Sequence, residues 1–507
     1  MSFRRMKFFW VSGFIFVLLF SVLLSLRLDL FNKIFPRPEN VTNTSFAPLP
    51  DRDSWMNIFQ NNRKIGFSHT IISKSENGHR LEEMVFMRID TLGMIHDINL
   101  RTAGVLNSDF TLASFDFEMN SGKFRFNVRG TFSDDVLSVT TQSVGAKRSF
   151  DIKVKQKPYL AAGMMEAASL SGLNPGDELT FPMFDPATMG QEPVRIKVIG
   201  QENISVLGVS TPAKIVSMRF KGITQKAWID SKGEVLKEES LLGIRLEKTT
   251  RAEALSGIPV ESSEDLTKVA SVPSNMTIEN PESLNSLFVE ISGVQYDSVD
   301  LDGGRQTLKD NVLFVEKESL ADLPSMMDVS NLPEIEKRLL KPSPFIQSDH
   351  QKIRSLAKEI VSGDDSPLEQ AKNLVSWIYK NIEKRPVISL PDALSTLENK
   401  RGDCNEHAVL FAALARAAGF PAGVETGLVY LNGRFYYHAW NVIYLGRWIT
   451  VDSLFNQVPA DVTHIRFSGG TPEQQLDLLN VIGKVKLKVT LNPDFIGKRR
   501  THQRIKK

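Results

Sequence analysis

The chain of 507 residues has one cysteine, Cys404, so no disulfide can close within it. Its fold must rest on buried apolar area instead. A strong charge of either sign is also missing: 61 Lys and Arg against 59 Asp and Glu leave a net +2. No global field recruits nucleic acid, and no nucleic-acid partner is expected. There is no phosphate-binding loop, and the middle of the chain has no His, Cys and carboxylate group at metal-ligand spacing. Neither a metal nor a cofactor is expected. Hydrophobic residues at 42% and charged residues at 24% exclude wholesale disorder. The length allows about three domains.

What is present begins with an uncharged, mostly apolar run over residues 8–26. As a helix it spans about 28 Å, close to the hydrocarbon thickness of a bilayer. Arg4, Arg5 and Lys7 precede it, so the positive-inside rule keeps the N-terminus cytoplasmic and the bulk periplasmic or extracellular. The run continues into Arg27, Leu28 and Asp29 without a small-residue cleavage site, which favours an uncleaved anchor over a signal peptide. Residues 1–30 are therefore read as cytoplasmic end and transmembrane anchor, with the lipid bilayer as one partner. Residues 31–53 are read as a tether. At the other end, 493–507 form a basic tail with Lys498, Arg499, Arg500, Arg504, Lys506 and Lys507, a solvated terminus.

From residue 54 to 255 the pattern has period two: Phe124, Phe126 and Val128 alternate with Arg125, Asn127 and Arg129. Turn signals such as Asn77-Gly78, Ser121-Gly122 and Ser231-Lys232-Gly233 punctuate it. Such spacing predicts an antiparallel β-rich domain, a curved sheet or half-barrel. One helix is expected inside it, over 159–173. Residues 256–281, rich in Ser, Glu, Pro and Thr, read as a linker. Residues 282–344 read as a small β extension.

From 345 to 492 the period turns helical. Ser348-Asp349-His350-Gln351 and Ser366-Pro367-Leu368-Glu369 have the form of capping boxes, each followed by an apolar stripe. The Ala- and Leu-rich stretch from Cys404 to Ala418 predicts a buried helix, with Asp403 as cap and Gly419 and Pro421 as its end. Cys404 then sits at a helix N-terminus, where backbone N–H groups and the helix dipole favour a thiolate and can hold an oxyanion. A hairpin follows, with Asn432-Gly433 as a type I′ turn signal and His438 on its second strand. A third strand runs to Asp452. Adjacent antiparallel strands can set His438 beside Asp452, and the helix can set the thiol against the imidazole. This is a nucleophile, base and orienting carboxylate. A further helix from Thr471 and a strand over 484–491 close the domain.

The segments Gly402-Asp403-Cys404, Arg416-Ala417-Ala418-Gly419-Phe420-Pro421-Ala422, His438-Ala439-Trp440-Asn441-Val442 and Trp448-Ile449-Thr450-Val451-Asp452 resemble the bacterial transglutaminase-like superfamily. The resemblance covers roughly residues 345–460. It implies a papain-like α+β domain in circularly rearranged form, with Cys404 as nucleophile, His438 as base and acid, and Asp452 as orienter. It also implies a peptide or protein substrate, for which Trp440 is a candidate contact. The fold class expected for the whole is α+β: a transmembrane helix, an antiparallel β-rich domain, then the catalytic domain. The activity expected is a thiol peptidase or amidase acting through a thioester, ahead of amine cross-linking. The alternative is a non-enzymatic envelope scaffold that works through the β-rich domain.

Overall fold

The computed structural model describes residues 51–490 except 123, 144–145, 171, 188, 221–222, 259–263, 327, 331, 364–365 and 471–480. The expected anchor over 8–26, most of the tether, the start of the helix at Thr471 and the basic tail lie outside the described residues. Among the described residues, no helix is long and apolar enough to cross a membrane. The architecture is mixed α+β, with a β-rich half-barrel first and an α+β unit last.

The half-barrel is one sheet of 14 antiparallel strands, from Arg52–Gln60 to Ile244–Thr249. Two meanders build it, and they join where the first strand pairs with the last, Trp55 opposite Thr249 and Gln60 opposite Ile244. Alternation sets the faces. Along Phe124–Ser133, Phe124, Phe126 and Val128 are buried while Arg125 and Arg129 are exposed. The sheet curls. Phe115 on Leu112–Ser121 meets Phe184 on the far-edge strand Glu178–Asp185, with ring centroids 5.3 Å apart. The helix Ala161–Leu170 packs into this concave core through Met164, Ala167 and Ala168.

In the C-terminal unit the helix Cys404–Ala417 is the centre, buried from Glu406 through Arg416. Helices Gln351–Ile360, Pro367–Asn381 and Ala393–Asn399 pack on it, and so do strands Ala422–Leu431 and Arg434–Tyr444. The two strands form a hairpin whose turn residues Asn432 and Gly433 both have positive φ, 48° and 84°. Trp448–Val451 adds to one flank of Arg434–Tyr444, and Ile465–Gly470 adds to Ala422–Leu431.

The structure revises two segment readings. In the expected linker, residues 266–270 are helical and Val272–Pro273 pairs with Phe435 and Arg434 as an edge strand of the C-terminal sheet. The expected small extension is not separate either. Ser286–Ser292, Gln306–Lys309 and Val312–Glu316 form a sheet with Lys486–Thr490, and its Leu287, Val289 and Val315 share one core with Leu428, Phe435 and Ile465. Composition reports how polar a segment is. It does not report that a few buried residues, Val272 and Ile278 here, dock it onto a distant strand.

Candidate active site

The site starts with a helix cap. Asp403 Oδ1 accepts from the Asn405 N–H at 2.9 Å, and Glu406 Oε2 accepts from the Asp403 N–H at 2.9 Å, a full capping box. Gly402 makes room for it: a Cβ there would stand 2.2 Å from Glu406 Cβ. Ser389 Oγ donates to the other Glu406 oxygen. Burial and the neighbouring Asp403 push the Glu406 carboxyl well above its ordinary range.

Cys404 therefore stands at the first helical position, half-buried and free of any disulfide. Cys404 packs against the core cluster that includes Ala439, the strand residue next to His438, and the Ala439 backbone N–H favours its thiolate. Here the structure corrects the expectation of a depressed thiol pKa. Burial pushes the thiol well up, and the carboxylates of Asp403, Glu406 and Asp452 add to that against the single Ala439 N–H.

His438 and Asp452 are brought together. The register that sets Asn441 opposite Val451 carries the two side chains to a 2.6 Å contact between His438 Nε2 and Asp452 Oδ2, with both groups buried. The other oxygen of Asp452 accepts the Leu454 and Phe455 N–H groups at 2.7 and 3.0 Å. Phe455 stacks on the His438 ring at 5.1 Å.

A second histidine completes the arrangement. His464 Nε2 reaches the same Asp452 Oδ2 at 3.0 Å, and its Nδ1 lies 3.3 Å from Asp461 Oδ1. Thr463 N–H, Thr463 Oγ1 and Gln457 Nε2 also donate to the Asp461 carboxylate. Burial alone would raise Asp452, yet the charge and hydrogen bonds of His438 and His464 hold its carboxyl far below the usual range. Burial opposes the charge on His464 too, but its bonds to Asp452 and Asp461 push it up to about 9. His464 is thus an imidazolium at neutral pH. The donor atoms of His438, Asp452 and His464 fall within 4.8 Å of one another, a spacing a cation can also use. Hydrogen bonds of 2.6 and 3.0 Å to one shared oxygen already account for it.

Trp440 requires a correction. It is 1% exposed, its Nε1 donates to Glu425 Oε2 at 2.8 Å, and it packs edge-on against His464. It has no surface to offer a substrate and acts as a wall behind the histidines. His464 and Asp461 escaped the sequence reading. Their one local signal is Asp461-Val462-Thr463-His464, in which the aspartate accepts from the N–H two residues on, a turn motif that prescribes no partner.

The Transglutaminase-like superfamily matches residues 354–453, a span that contains Cys404, His438 and Asp452. A candidate cysteine protease from Cytophaga hutchinsonii is similar in structure at 19% identity, covering 40% of this chain and 82% of that one, with a TM-score of 0.28. A β-barrel-like protein of a domain of unknown function from Brucella abortus shares 10% identity over 40% of this chain and 97% of that one, TM-score 0.32. The periplasmic domain of TgpA from Pseudomonas aeruginosa shares 19% over 34% and 69%, TM-score 0.22. No curated protein matches the chain. The C-terminal part of the chain, across residues 354–453, is a domain of the transglutaminase-like superfamily.

Proposed function

We propose that the chain is a thiol enzyme that cleaves amide bonds, with Cys404 as nucleophile, His438 as base and acid, and Asp452 as orienter. The observation that carries this is the buried 2.6 Å contact between His438 and Asp452 on the strand whose next residue, Ala439, lies in the core cluster that Cys404 packs against.

Nε2 of His438 is engaged with Asp452, so Nδ1 is the nitrogen left to take the thiol proton. The elevated thiol pKa fits transfer of that proton to His438 as the sulfur attacks, with the ion pair replacing a resting free thiolate. Sulfur bonds to the amide carbon, and the carbonyl electrons move to oxygen. The Cys404 N–H, at the first position of the helix, is the backbone donor placed for that oxyanion. Collapse breaks the C–N bond, and His438 returns its proton to the departing amine or ammonia. Water then attacks the thioester with His438 again as base, giving the acid and restoring the thiol. Hydrolysis by this route makes a peptidase or amidase.

The apolar run 8–26 behind Arg4, Arg5 and Lys7 supports a single-pass anchor that holds the enzyme outside the cytoplasm. A panel of peptide amides, with release of amine or ammonia as the readout, tests the chemistry. Cys404→Ala should abolish turnover and His438→Ala should slow Cys404 alkylation; unchanged turnover in Cys404→Ala rejects the reading.

A further inference from the structure

A cleft of about 630 Å³ lies where the half-barrel faces the catalytic unit. That volume suits a small-molecule or peptide segment, and such sites favour domain boundaries. One wall is half-barrel: Ile95 and His96 on the strand Met94–Leu106, with Phe124. The other wall is Arg385, Ile388 and Arg401 of the catalytic unit.

This second wall leads to the nucleophile. Glu383 and Lys384 pair in parallel with Arg401 and Gly402, and the Arg385 N–H donates to the Gly402 carbonyl at 3.0 Å. Arg401 is three residues before Cys404, and the charge of Asp403, the residue between Gly402 and Cys404, is felt at His96 across the cleft. Among the described residues, one buried donor in this lining, Arg401 Nε, and one buried ring nitrogen, His96 Nε2, have no hydrogen-bond partner. A buried donor such as Arg401 Nε calls for an acceptor.

The charges can be assigned. Arg88 also lines the cleft, but Asp97 takes it in a two-point pair at 2.7 and 2.9 Å. Among the described residues, the carboxylate that Arg385 and Arg401 approach is that of Glu383, at 4.0 and 3.7 Å, beyond hydrogen-bond reach and on a side chain 54% exposed. An exposed pair of that length is weak and readily exchanged for a better-placed anion.

We propose that this cleft binds the substrate of Cys404 and selects an acidic peptide, whose carboxylate is held by Arg385 and Arg401 while apolar side chains rest on Ile95, Phe124 and Ile388. A guanidinium fork matches a carboxylate in two-point geometry, and the apolar walls suit a peptide segment better than a bare anion. The half-barrel is then half of the binding site. The inference rests on the thiol-enzyme reading for its orientation toward Cys404, and its test separates the two.

Because Cys404 is the only cysteine, alkylation reports on one site. The full-length chain in detergent is treated with iodoacetate and with iodoacetamide, and the ratio of their rates is taken. The ratio should fall about ten-fold in the Arg385→Gln, Arg401→Gln double variant, as expected for loss of charge-assisted contacts. It should be kept by the corresponding Lys variants. In parallel, a dansylated peptide with two Glu should bind the Cys404→Ala chain at least about ten-fold more tightly than its Gln counterpart, a gap that closes in the double variant. An unchanged alkylation ratio, or equal binding of the two peptides, overturns the proposal. If neither reagent labels Cys404 in the native chain, the thiol reading falls and the peptide pair still decides the cleft.

Discussion

The half-barrel and the C-terminal unit both have apolar cores, and one buried acid in each, Glu166 and Asp452, is shifted in opposite directions. In the half-barrel, Glu166 pairs with Arg52 at 3.0 Å while its second oxygen has no partner. Burial, with Glu234 nearby and Arg52 only partly opposing it, pushes that carboxyl up to about 7. In the C-terminal unit, Asp452 is buried at least as deeply and stays ionised, because two imidazoles and two backbone N–H groups converge on it. The lesson concerns cost. A buried charge persists only where every lone pair is used, and a protein assembles that many partners where the charge has work to do.

The largest expected effect breaks this comparison at its centre. Asp452→Asn keeps the shape but removes the charge shared by both histidines. Turnover on the amide panel should drop by about 10³- to 10⁴-fold, because His438 loses its tautomer and orientation. A loss under ten-fold would mean that Asp452 is structural.

Next come two core truncations of equal chemistry. Leu81 in the half-barrel and Leu410 in the central helix are both fully buried. Leu81→Ala and Leu410→Ala should each cost about 2–5 kcal/mol in denaturant unfolding. Only Leu410→Ala should slow Cys404 alkylation by iodoacetamide below its own transition. Equal slowing in both would show that the two regions fold as one unit.

The third test is pH dependence. His464 is raised from its ordinary value to about 9, so its stabilising charge is fully present below pH 6.5 and is lost as pH rises through about 9. Across that window the native chain should lose stability at up to about 1.4 kcal/mol per pH unit. His464→Gln should flatten the slope. An unchanged slope would place the titration elsewhere.

The smallest effect lies in the hairpin. Gly433 has φ of 84°, and a side chain there is strained although nothing crowds it. Gly433→Ala should cost about 1–2 kcal/mol in thermal unfolding without moving the pH profile of turnover.

Legibility followed sequence distance. The cap at Asp403, the helix from Cys404 and the Asn432-Gly433 turn are local, and the residues that form them name them. Period two exposed the half-barrel strands, but not that the first would pair with the last or that Phe115 would meet Phe184. His464 was hidden because a histidine just before a strand reads the same whether it meets solvent or a buried carboxylate. Trp440 was misjudged for the same reason: strand alternation names a face but not what covers it.

Local chemistry in the chain determined the type of each element, the position of Cys404 at a helix start and the strands that carry His438 and Asp452. Those outcomes depend on side-chain periodicity, caps and turns within a few residues. Tertiary structure alone decided the ionisation states, because desolvation and charge pairing are sums over every group that folding brings near. It raised the thiol, kept Asp452 charged through His464, closed Trp440 away and set Arg385 and Arg401 across a cleft from His96.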